Sequence, residues 1–397
     1  MSGAIVGAMS ARSGTDGDFL AFDLGAESGR AMAITLDDHH IALAEVHRFP
    51  NGPVRVPLPT GAAGAPAEAM YWDALSLWQE IKSGTRAFSG RYGPPASIGV
   101  DAWGIDYGLI GADGALLGAP YNHRDPRTTG MMEEAFRRVP REEIFKRTGI
   151  QFMPINALYQ LLASARHGSP ALANAHAFLT IPDLFAYWLC GRVACELTNA
   201  TTTQAYDPRA GRWATDILTR LGIPTRIFPE VVPPGTVLGT LLPAVAEEVD
   251  LPATTSVVAV ASHDTGSAVA AVPVSPASMR PEETFAYISS GTWSLVGGEV
   301  PHPVITPAAL AYNFTNEGGV GGFRLLKNVM GLWLLQESRR TWRERGIDLS
   351  YPALVERATA ARPFAAIVDP DDVGFLPPGD MPRRLADFCA RTGQETL

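Results

Sequence analysis

The chain has 397 residues, 46% apolar and 18% charged, enough to bury more than one ordinary core, so two domains are expected. Its net charge of −9, with Lys and Arg scattered, leaves no basic footprint for nucleic acid and favours a small neutral or weakly anionic substrate. Three cysteines without zinc-ligand spacing build no disulfide framework, and apolar runs such as Val257 to Ala261 fall far short of the ~20 residues of a bilayer span, so a reducing cytoplasm is expected and a membrane is not.

Residues 1–18 are small and polar, without the basic and apolar regions of a secretory signal, and read as a disordered tail. Phe19 to Asp23 is an apolar run ending in an acid, followed by Gly25-Ala26-Glu27-Ser28-Gly29-Arg30 and then Ala31 to Leu36: strand, glycine turn, strand. A P-loop or Rossmann turn leads into a helix whose N-terminus meets the phosphates, and GxxxxGK[ST] occurs nowhere in the chain. The turn nevertheless offers backbone N–H groups that glycine lets approach phosphate oxygens, with Ser28 and Arg30 as further donors. It reads equally as a plain hairpin turn with a surface arginine. Asp23, closing its strand, is placed either to orient the waters of Mg²⁺ or to make an Asx turn.

Trp72, Leu75, Trp78 and Ile81 recur at helical spacing behind Asp73, and Ile98 to Asp101 then reads as a buried strand ending in a second carboxylate. The following Ala102-Trp103-Gly104 would set an aromatic ring and a bare backbone beside a sugar. Asp183 to Leu189 reads as a helix, and the polar stretch Thr198 to Gln204 either lines a sugar site or is only a turn. Ser256 to Ala261 is another β-branched strand, running into Ser262-His263-Asp264-Thr265-Gly266 ahead of a helix over Ser267 to Val272. Asp264 therefore falls at the carboxyl edge where open α/β sheets bind ligands, as a proton acceptor or as an ordinary N-cap. His263 beside it is a substrate partner or a structural histidine; no metal-ligand spacing links it to another histidine.

Pro273 to Glu283 has the composition of an exposed linker, which divides the chain into 19–272, a linker at 273–284, and 285–397. Phe285 to Ser294 then repeats the first strand and turn, with Gly25 matching Gly291 and Ser28 matching Ser294. Lys327 to Gln336 reads as a mostly apolar helix whose two amides, Asn328 and Gln336, lie ~12 Å apart at the α-helical rise, one able to face a sugar and the other a nucleotide.

Taken together these segments resemble the FGGY carbohydrate kinases. The resemblance runs through Asp23 to Arg30, Val100 to Gly104, Thr148 to Phe152, Thr198 to Gln204, Ala259 to Thr265, Ser289 to Ser294 and Leu326 to Gln336, and within the family it is greatest to members acting on L-rhamnulose. It implies an α/β chain of two actin-like (ribonuclease H-like) ATPase domains facing a central cleft, and transfer of phosphate from ATP, with Mg²⁺, to L-rhamnulose in rhamnose catabolism. Kinases for fuculose or xylulose, and a catalytically impaired sugar-binding regulator, are the alternative readings. By the same matching Asp264 is the proton acceptor, and Gly104, His263, Thr265 and Asn328 contact sugar. Ala26, Glu27, Ser28, Gly29, Arg30, Thr292 and Gln336 contact ATP, with Asp23 reaching the metal through water. Glu27 departs from the small residue usual in the turn, and an acid beside phosphates is repulsive unless it points away or meets the metal. The family's closing long helix and glycine-rich loop do not appear before Leu397, so an incomplete second domain is expected. Nothing in the sequence specifies an oligomeric state.

Overall fold

A computed structural model of the protein describes residues 17–37, 40–59, 68–274, 285–375 and 379–395. Most of the expected tail (1–16) and most of the expected linker (275–284) lie outside the described residues. The chain divides into two compact units, one comprising 1–275 and 300–324 and the other 276–299 and 325–397.

The first unit is built on a six-stranded mixed sheet. Its strands are β1 (Gly17–Leu24), β2 (Ser28–Leu36), β3 (Ile41–Pro50), β4 (Ser97–Ala102), β5 (Thr236–Thr240) and β6 (Ser256–Ala259), in the order β5-β6-β4-β1-β2-β3. The strand expected from Phe19 thus begins two residues earlier, taking in part of the expected tail. Period-2 alternation writes the hairpin: Leu20, Phe22 and Leu24 of β1 and Ala31 and Ala33 of β2 are buried, their neighbours less so. The central strands β1, β4 and β6 are mutually parallel. Helix α1 (Ala74–Tyr92), capped by the Asp73 carboxylate on Ser76 N, covers the β1–β3 side, and α2 (Ile181–Cys190) covers β4, β5 and β6. The face α1 buries is Ala74, Leu77, Ile81, Thr85 and Phe88; Leu75 is exposed and Trp72 ends the preceding strand, so the helical stripe read from the tryptophans is displaced.

Residues 300–324, which the linear division assigns to the second domain, pack with the first unit. Asn316 donates from N and Nδ2 to Gly149 O at 2.9 Å, Phe152 N donates to Asn313 Oδ1 at 2.9 Å, and Gly318 N donates to Thr201 Oγ1 at 2.8 Å. Composition cannot show this, because the excursion has no linker of its own.

The second unit opens with β7 (Ala286–Ser290) and β8 (Trp293–Val300), an antiparallel hairpin of the same form as β1–β2. The two turns differ by one residue: Gly25 N bonds Ser28 O at 2.9 Å, whereas Gly291 N bonds Trp293 O at 3.0 Å. Trp293, not Ser294, is therefore the counterpart of Ser28. The expected helix from Lys327 is instead the end of a strand, Phe323–Met330, which lies next to β8, followed by a helix, Trp333–Glu344. Gly331 makes the break: a Cβ there would stand 2.2 Å from Ser294 Oγ and 2.7 Å from Gly291 O, so only glycine lets the chain pass the turn. Met330, Phe375, Met381, Phe388 and Cys389 form this unit's small core.

Candidate active site

The parallel strands deliver three carboxylates to one edge of the first unit's sheet. Asp23 of β1 and Asp101 of β4 are direct register partners, and beyond the end of β6 His263 bridges to Ala102, so that Asp264 follows one residue later. Burial, then the charges of Asp23 and Asp264, hold the Asp101 carboxyl well above the usual carboxylate range, with Arg30 acting the other way. Arg30 Nε lies 2.8 Å from Asp23 Oδ2, across the antiparallel pair of β1 and β2. Both side chains are partly exposed, so the pair adds at most about 1 kcal/mol to stability.

Asp264 is the first helical residue of Asp264–Ala270, with His263 at the N-cap position, so the N-cap reading of Asp264 does not hold. Its Oδ1 accepts Thr265 N at 2.5 Å and Thr265 Oγ1 at 3.0 Å, and lies 3.5 Å from His263 Nε2. Thr265 is thereby a direct partner of Asp264. The Asp264 side chain keeps 37% of its surface exposed, which leaves it accessible to a substrate hydroxyl.

A buried scaffold fixes this turn. Glu196 N-caps the helix Leu197–Thr202, accepting Thr198 N and Thr198 Oγ1, and also accepts Ser262 N at 3.0 Å and Ser262 Oγ at 2.8 Å. His263 N in turn donates to Thr198 Oγ1 at 3.0 Å. The polar stretch 198–204 is therefore buried wiring under the site. Thr202 Oγ1 accepts Ile105 N at 3.1 Å and donates to Asn199 O at 2.8 Å.

Gly104 sits over that wiring. A Cβ on it would lie 3.0 Å from Thr202 Oγ1 and 3.2 Å from His263 Nε2, so the bare backbone approaches both side chains closely and any side chain here would crowd His263. The neighbouring Trp103 does not offer a free ring face. It is buried at a centroid distance of 4.2 Å from Trp72, and both indoles donate to Asp106 Oδ2, at 3.0 and 2.6 Å. Asp106, wholly buried, also takes Gln160 Nε2 at 2.8 Å and faces His123 Nδ1 at 2.8 Å. An indole whose N–H must meet a buried acceptor becomes core.

Two residues absent from the sequence reading stand beside His263. Glu317 Oε2 lies 3.2 Å and Arg324 Nη2 3.0 Å from His263 Nδ1, and the two are 3.1 Å apart. Burial would raise the Glu317 carboxyl, but Arg324 and His263 outweigh it and hold it below the usual range. Glu317 is the penultimate residue of the strand Thr315–Gly318, and an acid near a strand's end is the signal that could have found it.

The turn expected to meet phosphate is braced from behind. Asn51 Nδ2 donates to Gly25 O at 2.8 Å and Asn51 N to Glu27 O at 3.0 Å. Ala26 and Glu27 are exposed at its tip, whereas Gly29 is buried under the Phe49 ring, 2.3 Å from where a Cβ would stand. In the second unit Thr292 O accepts Gly331 N and Trp333 N, both at 3.1 Å, which ties the second turn to the helix carrying Gln336. Asn328 lies on the strand and not on that helix, so the two amides are not one helical face and the ~12 Å helical spacing does not apply.

Residues 19–271 match the N-terminal domain of the FGGY family of carbohydrate kinases and residues 286–396 its C-terminal domain. The chain is 42% identical over 378 residues to a rhamnulokinase of Bacteroides thetaiotaomicron, covering 95% of this chain and 74% of that protein. It is also 42% identical over 381 residues to one of Pectobacterium carotovorum, covering 95% and 71%. A xylulose kinase from Lactobacillus acidophilus superposes with a TM-score of 0.73 at 16% identity, over 88% of this chain and 66% of that one. A gluconate kinase from the same organism gives a TM-score of 0.71, also at 16% identity and with the same coverage. The chain belongs to the FGGY family of carbohydrate kinases and has its two-domain, actin-like α/β fold. It spans about three quarters of the length of these rhamnulokinases and about two thirds of these solved structures. Among the described residues, no helix is long and apolar enough to cross a membrane.

Proposed function

We propose that this chain transfers the terminal phosphoryl group of ATP to the C1 hydroxyl of L-rhamnulose, giving L-rhamnulose 1-phosphate in rhamnose catabolism. The observation that carries the chemistry is the position of Asp264: a partly exposed carboxylate at the edge of three parallel strands, with one oxygen fixed by Thr265 and His263 alongside. The choice of ketose rests on the 42% identity to proteins named rhamnulokinase.

In the reaction the C1 oxygen attacks the γ-phosphorus, the bond from that phosphorus to the bridging oxygen of ADP breaks, and the hydroxyl proton passes to Asp264 late in a loose transition state. His263 and Gly104, with Thr265 and Asn328, hold the sugar. The backbone of 26–30, together with Thr292 and Gln336, holds the nucleotide. Glu27, exposed at the tip of its turn, points its charge to solvent or to a cation.

Asp23 and Asp101 suit a divalent cation, because they stand side by side in the register of adjacent strands and a dication would offset their mutual repulsion. Mg²⁺ keeps several of its waters and takes few protein ligands, so Asp23 would hold it through water, where the ion would neutralise phosphate charge. We also propose a cytoplasmic location, supported by three free thiols and by the need for ATP.

A ketose panel tests the assignment. ADP release from ATP is measured with L-rhamnulose, L-fuculose and D-xylulose; kcat/KM is expected to be highest for L-rhamnulose, by about tenfold or more where a buried polar group loses its hydroxyl partner. Preference for another ketose would replace the substrate. Calorimetric sugar binding without ATP binding or turnover would replace the kinase reading by that of a sugar-binding regulator.

A further inference from the structure

The proposed reaction uses His263 as a sugar contact, and the Nδ1 side of its ring is engaged by groups to which no role has been given. Arg324 is fully buried, and Glu317 keeps only 7% of its side-chain surface exposed. Arg324 is anchored through Nε to Gly318 O at 2.9 Å, and its Nη2 sits between Glu317 Oε2 at 3.1 Å and His263 Nδ1 at 3.0 Å. Glu317 Oε2 closes the triangle at 3.2 Å from Nδ1. The histidine's main chain is separately fixed by Thr198 Oγ1 and by the bridge to Ala102. Rotation of the ring is the freedom that remains, and the ion pair lies against the atom that decides it.

We propose that Glu317 and Arg324 are positioning residues for sugar recognition, clamping Nδ1 of His263 so that Nε2 is held toward Gly104 and Asp264. The proposal rests on the reading of His263 as a sugar contact. With Nδ1 against the pair, Nε2 lies 3.5 Å from Asp264 Oδ1 and 3.2 Å from the point where a Gly104 Cβ would be. Turning the ring over would set carbon against the carboxylate and guanidinium and take the nitrogen away from the sugar side. The role of the second ring nitrogen of a histidine is generally set by what its first one meets.

Energetics point the same way. A buried ion pair is often matched or bettered in stability by apolar residues of the same volume, because desolvation offsets the attraction. Arg324 moreover leaves Nη1 without a hydrogen-bond partner among the described residues, a poor solution for stability alone. Orientation of His263 is what the pair supplies that an apolar replacement would not. The atoms nearest a Gly104 Cβ belong to Thr202 and His263, and the pair meets His263 on its Nδ1 side, so its effect on substrate passes through the imidazole.

The test removes both charges together, in the double variant Glu317→Gln/Arg324→Met, so that no unpaired ion is left buried. Sugar affinity is read by calorimetry with and without His263→Asn. The expected result is an affinity for L-rhamnulose weaker by about tenfold or more when His263 is present, and a change below about twofold when it is replaced, with ATP affinity unaltered. An equal loss in both backgrounds would make the pair a structural element independent of His263 and overturn the proposal. Imidazole ¹⁵N resonances of the ligand-free protein give a second reading, assigned to His263 by their loss in His263→Asn. They are expected to shift in the double variant and also in Glu317→Gln alone, which keeps the shape should the double variant not fold. Unchanged resonances would overturn the clamp. If the unsubstituted protein binds no ketose, the substrate reading fails, while the resonances still decide whether the clamp exists.

Discussion

Asp23 and Asp101 stand opposite each other in the parallel register of two adjacent central strands, one residue before each strand ends. Two carboxylates held side by side repel, and this adds to the burial that is the main cause of the raised Asp101 carboxyl. A divalent cation relieves that repulsion, so Asp101→Asn is expected to raise the Mg²⁺ concentration for half-maximal turnover by about tenfold while leaving the sugar affinity close to its starting value. A magnesium titration of initial rates checks this; an unchanged midpoint would remove Asp101 from the metal's surroundings.

Asp264 presents a different case, because its role is in proton transfer. Asp264→Asn keeps the shape and the contacts to Thr265 but loses the basic oxygen, and turnover is expected to fall by about 10²–10⁴-fold. Sugar binding by calorimetry should persist. Turnover near the unsubstituted rate would exclude Asp264 as the base.

Gly104 tests the shape of the same site. Gly104→Ala would put a methyl group 3.2 Å from His263 Nε2 and 3.0 Å from Thr202 Oγ1, and Thr202 cannot yield freely because its hydroxyl also serves Ile105 N and Asn199 O. The expected outcome is a KM for the ketose higher by about tenfold, equivalent to about 1.4 kcal/mol, together with a lowered melting temperature, since overpacking a close-packed site costs about 1–3 kcal/mol. A variant with an unaltered KM would show that the sugar does not approach Gly104.

These particular residues also show what a sequence can disclose. The β1–β2 hairpin was legible because alternating apolar residues and a glycine turn are local properties, and the place of Asp264 between a strand and a helix followed from the β-branched run before it, although that strand ends at Ala259 and not at the expected Ala261. Asn328 was not, since Lys-Asn-Val-Met-Gly-Leu-Trp has no clean period and its strand state depends on pairing with β8 and on the close passage of Gly331 past Ser294. Trp103 looked like a sugar platform until the fold supplied Asp106 as an acceptor for its indole. Glu317 and Arg324 lay furthest from reach: more than fifty residues separate them from His263, and only the return of 300–324 to the first unit brings them together.

Asp183 carries the last prediction, one of stability. It is buried on α2, accepting Thr180 Oγ1 at 2.5 Å and Glu196 N at 3.1 Å, and burial foremost, with the charge of Glu196 adding, pushes its carboxyl up to about 7. A carboxyl raised in the folded state is protonated there while the unfolded chain, near 3.8, is already ionised. The unfolded state then holds fewer protons, so stability falls as the pH rises from about 4 to about 7 and levels off above that. The amide introduced by Asp183→Asn would imitate the protonated acid at every pH. Urea unfolding of the unsubstituted protein and of this variant is therefore expected to agree near pH 4 and to diverge toward neutrality, the unsubstituted protein losing a few kcal/mol relative to the variant. A gap that is constant with pH, or that closes on the alkaline side, would mean that Asp183 stays ionised in the folded chain and that Thr180 and the backbone of Glu196 stabilise its charge.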